Sequence, residues 1–454
     1  MANMHLKPLV AFALCWTLLG TSACSKGSPE NSPSASNTPV ASPSATTSAP
    51  SASPSETPSE TPAASPSKTP SPSPTSSSGT VDSDDGVNAL IDRMTLEQKV
   101  GQMILAGVTG TKLDASAKAM IAEQHVGGII LFKNNFSGLT GSTRFVNDLK
   151  KANTSNPIPL FVSVDQEGGR VSRLPADFVA MPDAAKVGRT GKPELAKQMG
   201  KLLSEELALL GFNVDFAPVL DINSNPNNPV IGNRAFGSKA DIVTRMGISV
   251  MQGLREGGTI GVVKHFPGHG DTSVDSHLDL PVVNKTTQQL EALEWMPFKA
   301  AIAEQADAVM VAHILFPKID PDAPASFSKV IIGKQLRGTL GFDGVVITDD
   351  LTMGAIADHY GIAEAAVKSV EAGSDILLVA HGYDTAKSVY DKLLQAVRSG
   401  RISEKRINES VKRIVSLKTK YHLSDAPFAI PKASDIPNSA IRSWLKAVNG
   451  SGGK

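Results

Sequence analysis

The chain has 454 residues, with 44 Lys+Arg against 44 Asp+Glu and a formal charge of zero. No basic excess exists to hold a phosphate backbone, which argues against nucleic acid as the main partner. At 41% hydrophobic and 19% charged the chain can bury a large core, and its two cysteines, Cys15 and Cys24, leave the rest without a disulfide framework or a cysteine-based metal site or nucleophile.

Residues 1–24 read as an export signal. Lys7 precedes an apolar run from Leu9 to Leu19, shorter than the roughly 20 residues a membrane-spanning helix needs. Small residues then lead to Cys24, in a pattern that resembles the lipobox of bacterial lipoproteins, with Thr21 at the position usually held by Leu. Lipidation of Cys24 is the expectation; an ordinary cleaved signal is the alternative. The next segment, residues 25–85, is a tether. From Gly27 to Thr80 its 54 residues include 12 Pro, 18 Ser and 8 Thr, with Val40 the one sizeable apolar side chain. Such a composition cannot bury enough surface to fold and is expected to be disordered and partly polyproline. Its reach is at most on the order of 160 Å. An anchor followed by a tether predicts an exported domain on the outer side of the cell membrane, held out into or through a cell wall.

Folding signals run over residues 86–425, opened by a capping-like stretch, Thr95-Leu96-Glu97-Gln98. Short apolar runs then alternate with helical patterns: 103–106, 128–132, 160–164, 214–217, 261–264, 308–312, 345–348 and 376–380. Eight buried-type strands alternating with helices predict an α/β fold, a single parallel (β/α)8 barrel of the TIM type. A doubly wound open sheet is the alternative. Polar residues favour the barrel. Asp165, Lys264-His265, His313, Asp349-Asp350 and His381 each follow an apolar run, and strand carboxyl ends converge on one mouth in a barrel. Residues 426–454 form a tail that either packs on the barrel or stays partly disordered.

The densest chemistry lies in Lys264-His265-Phe266-Pro267-Gly268-His269-Gly270-Asp271-Thr272, continuing to Asp275-Ser276-His277. Its glycines and prolines predict a long mobile loop. A metal site built from His265, His269, Asp271 or His277 is a rival reading, but Pro267 and Gly268 break the one-face spacing that helical ligands use. Asp275 and His277 share a side if the stretch is extended. A carboxylate beside an imidazole fixes its tautomer, which suits donating and then accepting a proton. Asp349 is open to three readings: nucleophile, metal ligand or helix cap. Asp350 could take the capping role and leave Asp349 free.

These residues carry a resemblance. The Lys264–Thr272 segment resembles the signature of family 3 glycoside hydrolases, in the β-N-acetylglucosaminidase branch. The match extends to Asp165-Gln166-Glu167-Gly168-Gly169-Arg170, Gly232-Asn233-Arg234-Ala235-Phe236-Gly237 and Thr348-Asp349-Asp350-Leu351-x-Met353, in order from about Thr95 to Tyr421. The resemblance implies a retaining exo-glycosidase with Asp349 as nucleophile, His277 as acid/base and Asp275 as its partner. It implies sugar binding by Asp165, Arg173, Arg234, Lys264 and His265, and neither metal nor organic cofactor. His313 and His381 match no assigned role and are read as structural or supporting. The expected substrate is terminal β-linked N-acetylglucosamine, on peptidoglycan fragments (GlcNAc-MurNAc) or on chitooligosaccharides, handled by a monomer. The alternatives are a sugar-binding lipoprotein on a decayed hydrolase barrel, a β-glucosidase, and a phosphorylase of the same family, since a neutral histidine base does not repel phosphate.

Overall fold

The computed structural model describes residues 84–451. The expected leader at 1–24, Cys24 and the tether up to residue 83 lie outside them.

Eight strands form the sheet: β1 (Ile104–Gly107), β2 (Gly128–Leu131), β3 (Phe161–Val164), β4 (Val214–Asp215), β5 (Ile260–Phe266), β6 (Ala308–Val311), β7 (Val345–Thr348) and β8 (Leu377–Val379). Each pairs in parallel with its neighbours in chain order, and β8 returns beside β1. A bridge between Ile347 and Ile376 joins the last gap, with Thr348 N donating to Ile376 O at 3.0 Å. The ring is therefore a (β/α)8 barrel. Its strands read as unbroken apolar runs because the strand residues are buried throughout, with side chains filling the lumen inside and helices covering the outside.

The helices follow local rules. Thr95 caps the helix Leu96–Gln102 with a reciprocal box: its hydroxyl accepts from Gln98 N at 3.2 Å, and Gln98 Oε1 accepts from Thr95 N at 3.0 Å. Helix Pro193–Leu210 begins on proline and ends at Gly211 in the left-handed region, φ 85°, where only glycine sits without strain.

One strand differs from expectation. β5 continues through Lys264 and His265 to Phe266, so the loop begins at Pro267. The register between β5 and β6 slips, Val263 facing Val309 and Phe266 facing Val311. The extra residue is a bulge, which re-aims side chains at a barrel rim.

The first described helix lies at the end of the barrel where strands begin. Helix Asp84–Asp92 packs along helix Glu404–Lys420. Asp84 pairs with Lys412 at 3.7 Å and borders the same surface groove as Asp307 and Gly344, which immediately precede β6 and β7. The tail is packed. Asp425 accepts from Asn153 Nδ2 at 2.7 Å and Leu160 N at 3.1 Å. The last helix, Asn438–Ser451, buries Ile441, Trp444 and Val448 against the helix Pro193–Leu210. Among the described residues no helix is long and apolar enough to cross a membrane.

Candidate active site

The strand carboxyl ends enclose a cavity of about 180 Å³, smaller than the roughly 300 Å³ at which most small-molecule sites begin. Asp165, Arg173, Arg234, Lys264, His265, His277 and Asp349 all line it. Asp275 stands behind His277. The eight residues singled out from sequence for catalysis and sugar binding are thus brought to one place by six separate loops and strand ends.

The β3 and β5 sides form one charged cluster. Lys264 Nζ lies 2.6 Å from Asp165 Oδ1 and 2.7 Å from Glu167 Oε1. Burial pulls the ammonium down, but Asp165 and Glu167 outweigh it and hold Lys264 above its usual value. Glu167 also grips Arg234 through two bonds, Nε to Oε2 at 2.8 Å and Nη2 to Oε1 at 2.7 Å. Burial pushes the Glu167 carboxyl up, yet Arg234 and Lys264 hold it well below the usual carboxylate range. Two cations facing two carboxylates leave Asp165 partly exposed toward the cavity, ready to accept from ligand hydroxyls with the strength of charged hydrogen bonds. The turn that allows this uses Gly168 and Gly169, at φ 90° and 56°. A Cβ on Gly169 would strike the Asp183 carboxylate at 1.8 Å.

Arg173 lines the same wall. Its backbone N–H bonds Gln166 Oε1 at 2.8 Å, while its Nε is buried without a partner in the protein. A buried guanidinium nitrogen left unpaired is a donor waiting for a ligand acceptor.

His265 Nδ1 lies 2.6 Å from Asp221 Oδ2, and His269 N donates to Asp221 Oδ1 at 2.6 Å. Burial raises the Asp221 carboxyl, but His265 and His269 bring it below its usual value. The His269 ring bonds Thr272 Oγ1 at 2.8 Å and Ser276 Oγ at 3.2 Å. Burial and the neighbouring His265 pull it down to about 4, so it is a neutral strut between Thr272 and Ser276 within the loop. Both ring nitrogens are therefore engaged by hydroxyls. Among the described residues no group of three or more His, Cys, Asp or Glu is placed to hold a metal ion.

At the end of β7 Asp349 accepts from Asp350 N at 2.9 Å. Burial raises its carboxyl, but His265, His313, the Asp350 N–H and His277 together hold it at about 2. Asp350 caps a turn rather than a helix, the next helix, Gly354–Ala357, starting from Met353: its Oδ1 accepts from Thr352 N at 3.0 Å and Ala380 N at 2.9 Å, and its Oδ2 from Thr352 Oγ1 at 2.6 Å. Asp349 is left with one free, ionised oxygen. His313 is fully buried, bonding Ser326 Oγ at 2.7 Å and Asp350 O at 3.0 Å, a supporting role. His381 instead reaches the cavity wall, stacked on Phe132 at 5.1 Å.

The dyad is present but not in an extended stretch. Asp275 Oδ1 accepts from both His277 Nδ1 at 2.8 Å and His277 N at 2.9 Å, and Leu278 N closes onto Asp275 O at 2.9 Å. The carboxylate caps a turn, and the turn, rather than strand pleating, brings the imidazole to it. His277 is 63% exposed, with Nδ1 committed and Nε2 free. Glu167 and Asp221 are the residues sequence reasoning passed over. Glu167 stood inside a quoted motif without a role, and Asp221 was marked only by a carboxylate closing the apolar run Val219-Leu220.

Residues 95–417 match the glycosyl hydrolase family 3 N-terminal domain. The chain is 32% identical to β-hexosaminidase A of Pseudoalteromonas piscicida, over 71% of this chain and 58% of that protein, so it spans less than two thirds of that relative. It is 37% identical to the β-hexosaminidase of Neisseria meningitidis over 62% of this chain and 79% of that one. A family 3 β-N-acetylglucosaminidase from a Paenibacillus species superimposes with a TM-score of 0.77 at 43% identity, covering 79% of this chain and 69% of that chain.

Proposed function

Since the chain belongs to family 3 of the glycosyl hydrolases, in its β-hexosaminidase branch, we propose that it removes terminal β-linked N-acetylglucosamine from the non-reducing end, with retention. The observation that carries this reading is an ionised Asp349, held at about 2, on the wall of a one-sugar cavity that also bears His277. Retaining enzymes usually pair two carboxylates about 5–5.5 Å apart; here the second role falls to an imidazole backed by Asp275.

The steps follow from which atoms are free. The Asp349 oxygen attacks the anomeric carbon while protonated His277 gives its Nε2 proton to the leaving oxygen, and that carbon–oxygen bond breaks. A glycosyl ester on Asp349 results. Neutral His277 then takes a proton from water, whose oxygen attacks the same carbon and releases Asp349. Asp275 keeps Nδ1 protonated throughout, which leaves Nε2 as the shuttling atom. Asp165, Lys264, His265, Arg234 and Arg173 orient the sugar. No step needs a metal or organic cofactor.

The small cavity supports exo action on one terminal residue, with the remainder of the substrate outside. The leader, Cys24 and the tether support an exported, lipid-anchored enzyme acting on cell-wall fragments, GlcNAc-MurNAc with or without peptide. The test compares p-nitrophenol release from β-GlcNAc and β-glucose conjugates by wild type and Asp349→Asn. GlcNAc-selective release that disappears in the variant is expected. Glucose-selective release would move the chain to a β-glucosidase; sugar binding without release would make it a capture protein.

A further inference from the structure

The dyad's loop is closed at its base by one side chain. Lys285 Nζ lies 2.9 Å from Asp271 Oδ2, just after β5, and 2.5 Å from Glu294 Oε1, on the helical segment that follows the loop. Between Asp271 and Lys285 the chain leaves the barrel, carries Asp275 and His277, and returns. Glu294 is a fixed post. Its side chain is 1% exposed, and a Cβ on Gly268 would meet it at 2.7 Å, so the loop's first turn already leans on it. The other Glu294 oxygen, Oε2, is buried with no hydrogen-bond partner, and Lys285 is the cation answering that carboxylate among the described contacts.

We propose that Lys285 is a positioning residue for acid/base catalysis, a clamp from Asp271 to Glu294 that sets where His277 stands over the leaving oxygen. The proposal rests on the reading of His277 as the proton shuttle. The Lys285–Asp271 arm is partly exposed, at 21% and 35%, and adds little to overall stability, so its effect is geometric; the Glu294 arm is buried, and losing it also costs stability. It shortens the free span carrying the dyad, and a shorter span has fewer arrangements in which the imidazole misses its target. Other contacts fix different points: Val283 N donates to Leu315 O at 2.9 Å, Asp279 meets His359 at 2.6 Å, and Ser276 O accepts from Ala355 N at 3.1 Å. None of these ties the loop's near end to the segment beyond it. Proton donation matters most when the leaving group is poor, so the clamp has a signature that general loosening lacks.

The test uses the full chain, Asp271→Asn, Lys285→Met and the double variant. Asp271→Asn leaves the Lys285–Glu294 pair intact and keeps the experiment readable if Lys285→Met folds poorly. Each variant is expected to lose about tenfold or more in kcat/KM on a GlcNAc disaccharide. On dinitrophenyl β-GlcNAc, whose leaving group needs no proton, the loss should be under about twofold. The double variant should be no worse than either single one, and Lys285→Arg should restore the disaccharide rate. Equal losses on both substrates, additive losses or no loss would overturn the clamp. If the wild type prefers β-glucosides, the substrate assignment falls while the same leaving-group comparison on glucosides decides the clamp. A chain that cleaves neither overturns both.

Discussion

Glu167 and Arg234 lie fork to fork, two parallel bonds at 2.7 and 2.8 Å with side chains 4% and 11% exposed. The same Glu167 oxygen also takes Lys264 at 2.7 Å, so one carboxylate sets two cations that line the cavity. Glu167→Gln keeps the shape and removes the charge, leaving Asp165 alone against both. The expected loss is about 3–5 kcal/mol of folding stability, read by urea unfolding, with a raised KM. The Glu167 carboxyl is held below its unfolded value by Arg234 and Lys264 against the cost of burial. Its contribution is therefore complete above about pH 4.5 and fades as pH falls further. Wild type and variant should converge in acid.

Asp349 should stay ionised throughout the working range, because His265, His313 and the Asp350 N–H outweigh burial and hold it at about 2. In His277→Ala, assayed with an activated aryl glycoside, kcat/KM should stay flat between about pH 7 and about pH 5. A fall across that window would place the nucleophile's titration there and contradict the assignment. Asp349→Asn should lower kcat by about a thousandfold or more without moving the unfolding midpoint by much.

Glu206 is a buried carboxyl with no partner for either oxygen. Burial, then the neighbouring Asp215, push it up to about 8. A carboxyl raised on folding supports the fold below its unfolded value near 4.5, and that support drains away as pH rises toward the folded value. Glu206→Met should be close to neutral at pH 5 and should stabilise the protein by on the order of 2 kcal/mol at pH 8, seen as a Tm difference that opens with pH.

Trp444 is 5% exposed, and its indole N–H bonds Leu195 O at 2.9 Å. Trp444→Ala should cost about 3–5 kcal/mol in urea unfolding. Asn438, six residues earlier, accepts from Val179 N at 2.7 Å and donates to Asp177 O at 2.8 Å. Both partners lie on the segment after β3 that also carries Arg173. Trp444→Ala should therefore raise KM for GlcNAc substrates while the protein is still folded.

What the sequence made readable was whatever is local. Apolar runs located all eight strands to within a few residues, because each run is bounded by turn residues and must be buried from both sides. The Thr95 box was visible because its partners lie three residues apart. Pairings between distant strands were not visible. Asp221 and His265 are 44 residues apart, Glu167 and Arg234 are 67, and no spacing rule connects them before the barrel closes. The Asp275–His277 contact was expected from pleating and came from a turn. Side-chain capping outcompetes an extended strand where no neighbouring strand offers a ladder.

Asp84 stands beside Asp307 and Gly344, at the end of the barrel opposite the cavity. A pull applied at Asp84 meets the barrel from behind, along the helix Asp84–Asp92 and its seat on Glu404–Lys420. Tension would first test the Asp84–Lys412 contact and the buried Val87 and Ile91, far from Asp349, so the domain could be tugged or swung without disturbing the geometry that does the cutting.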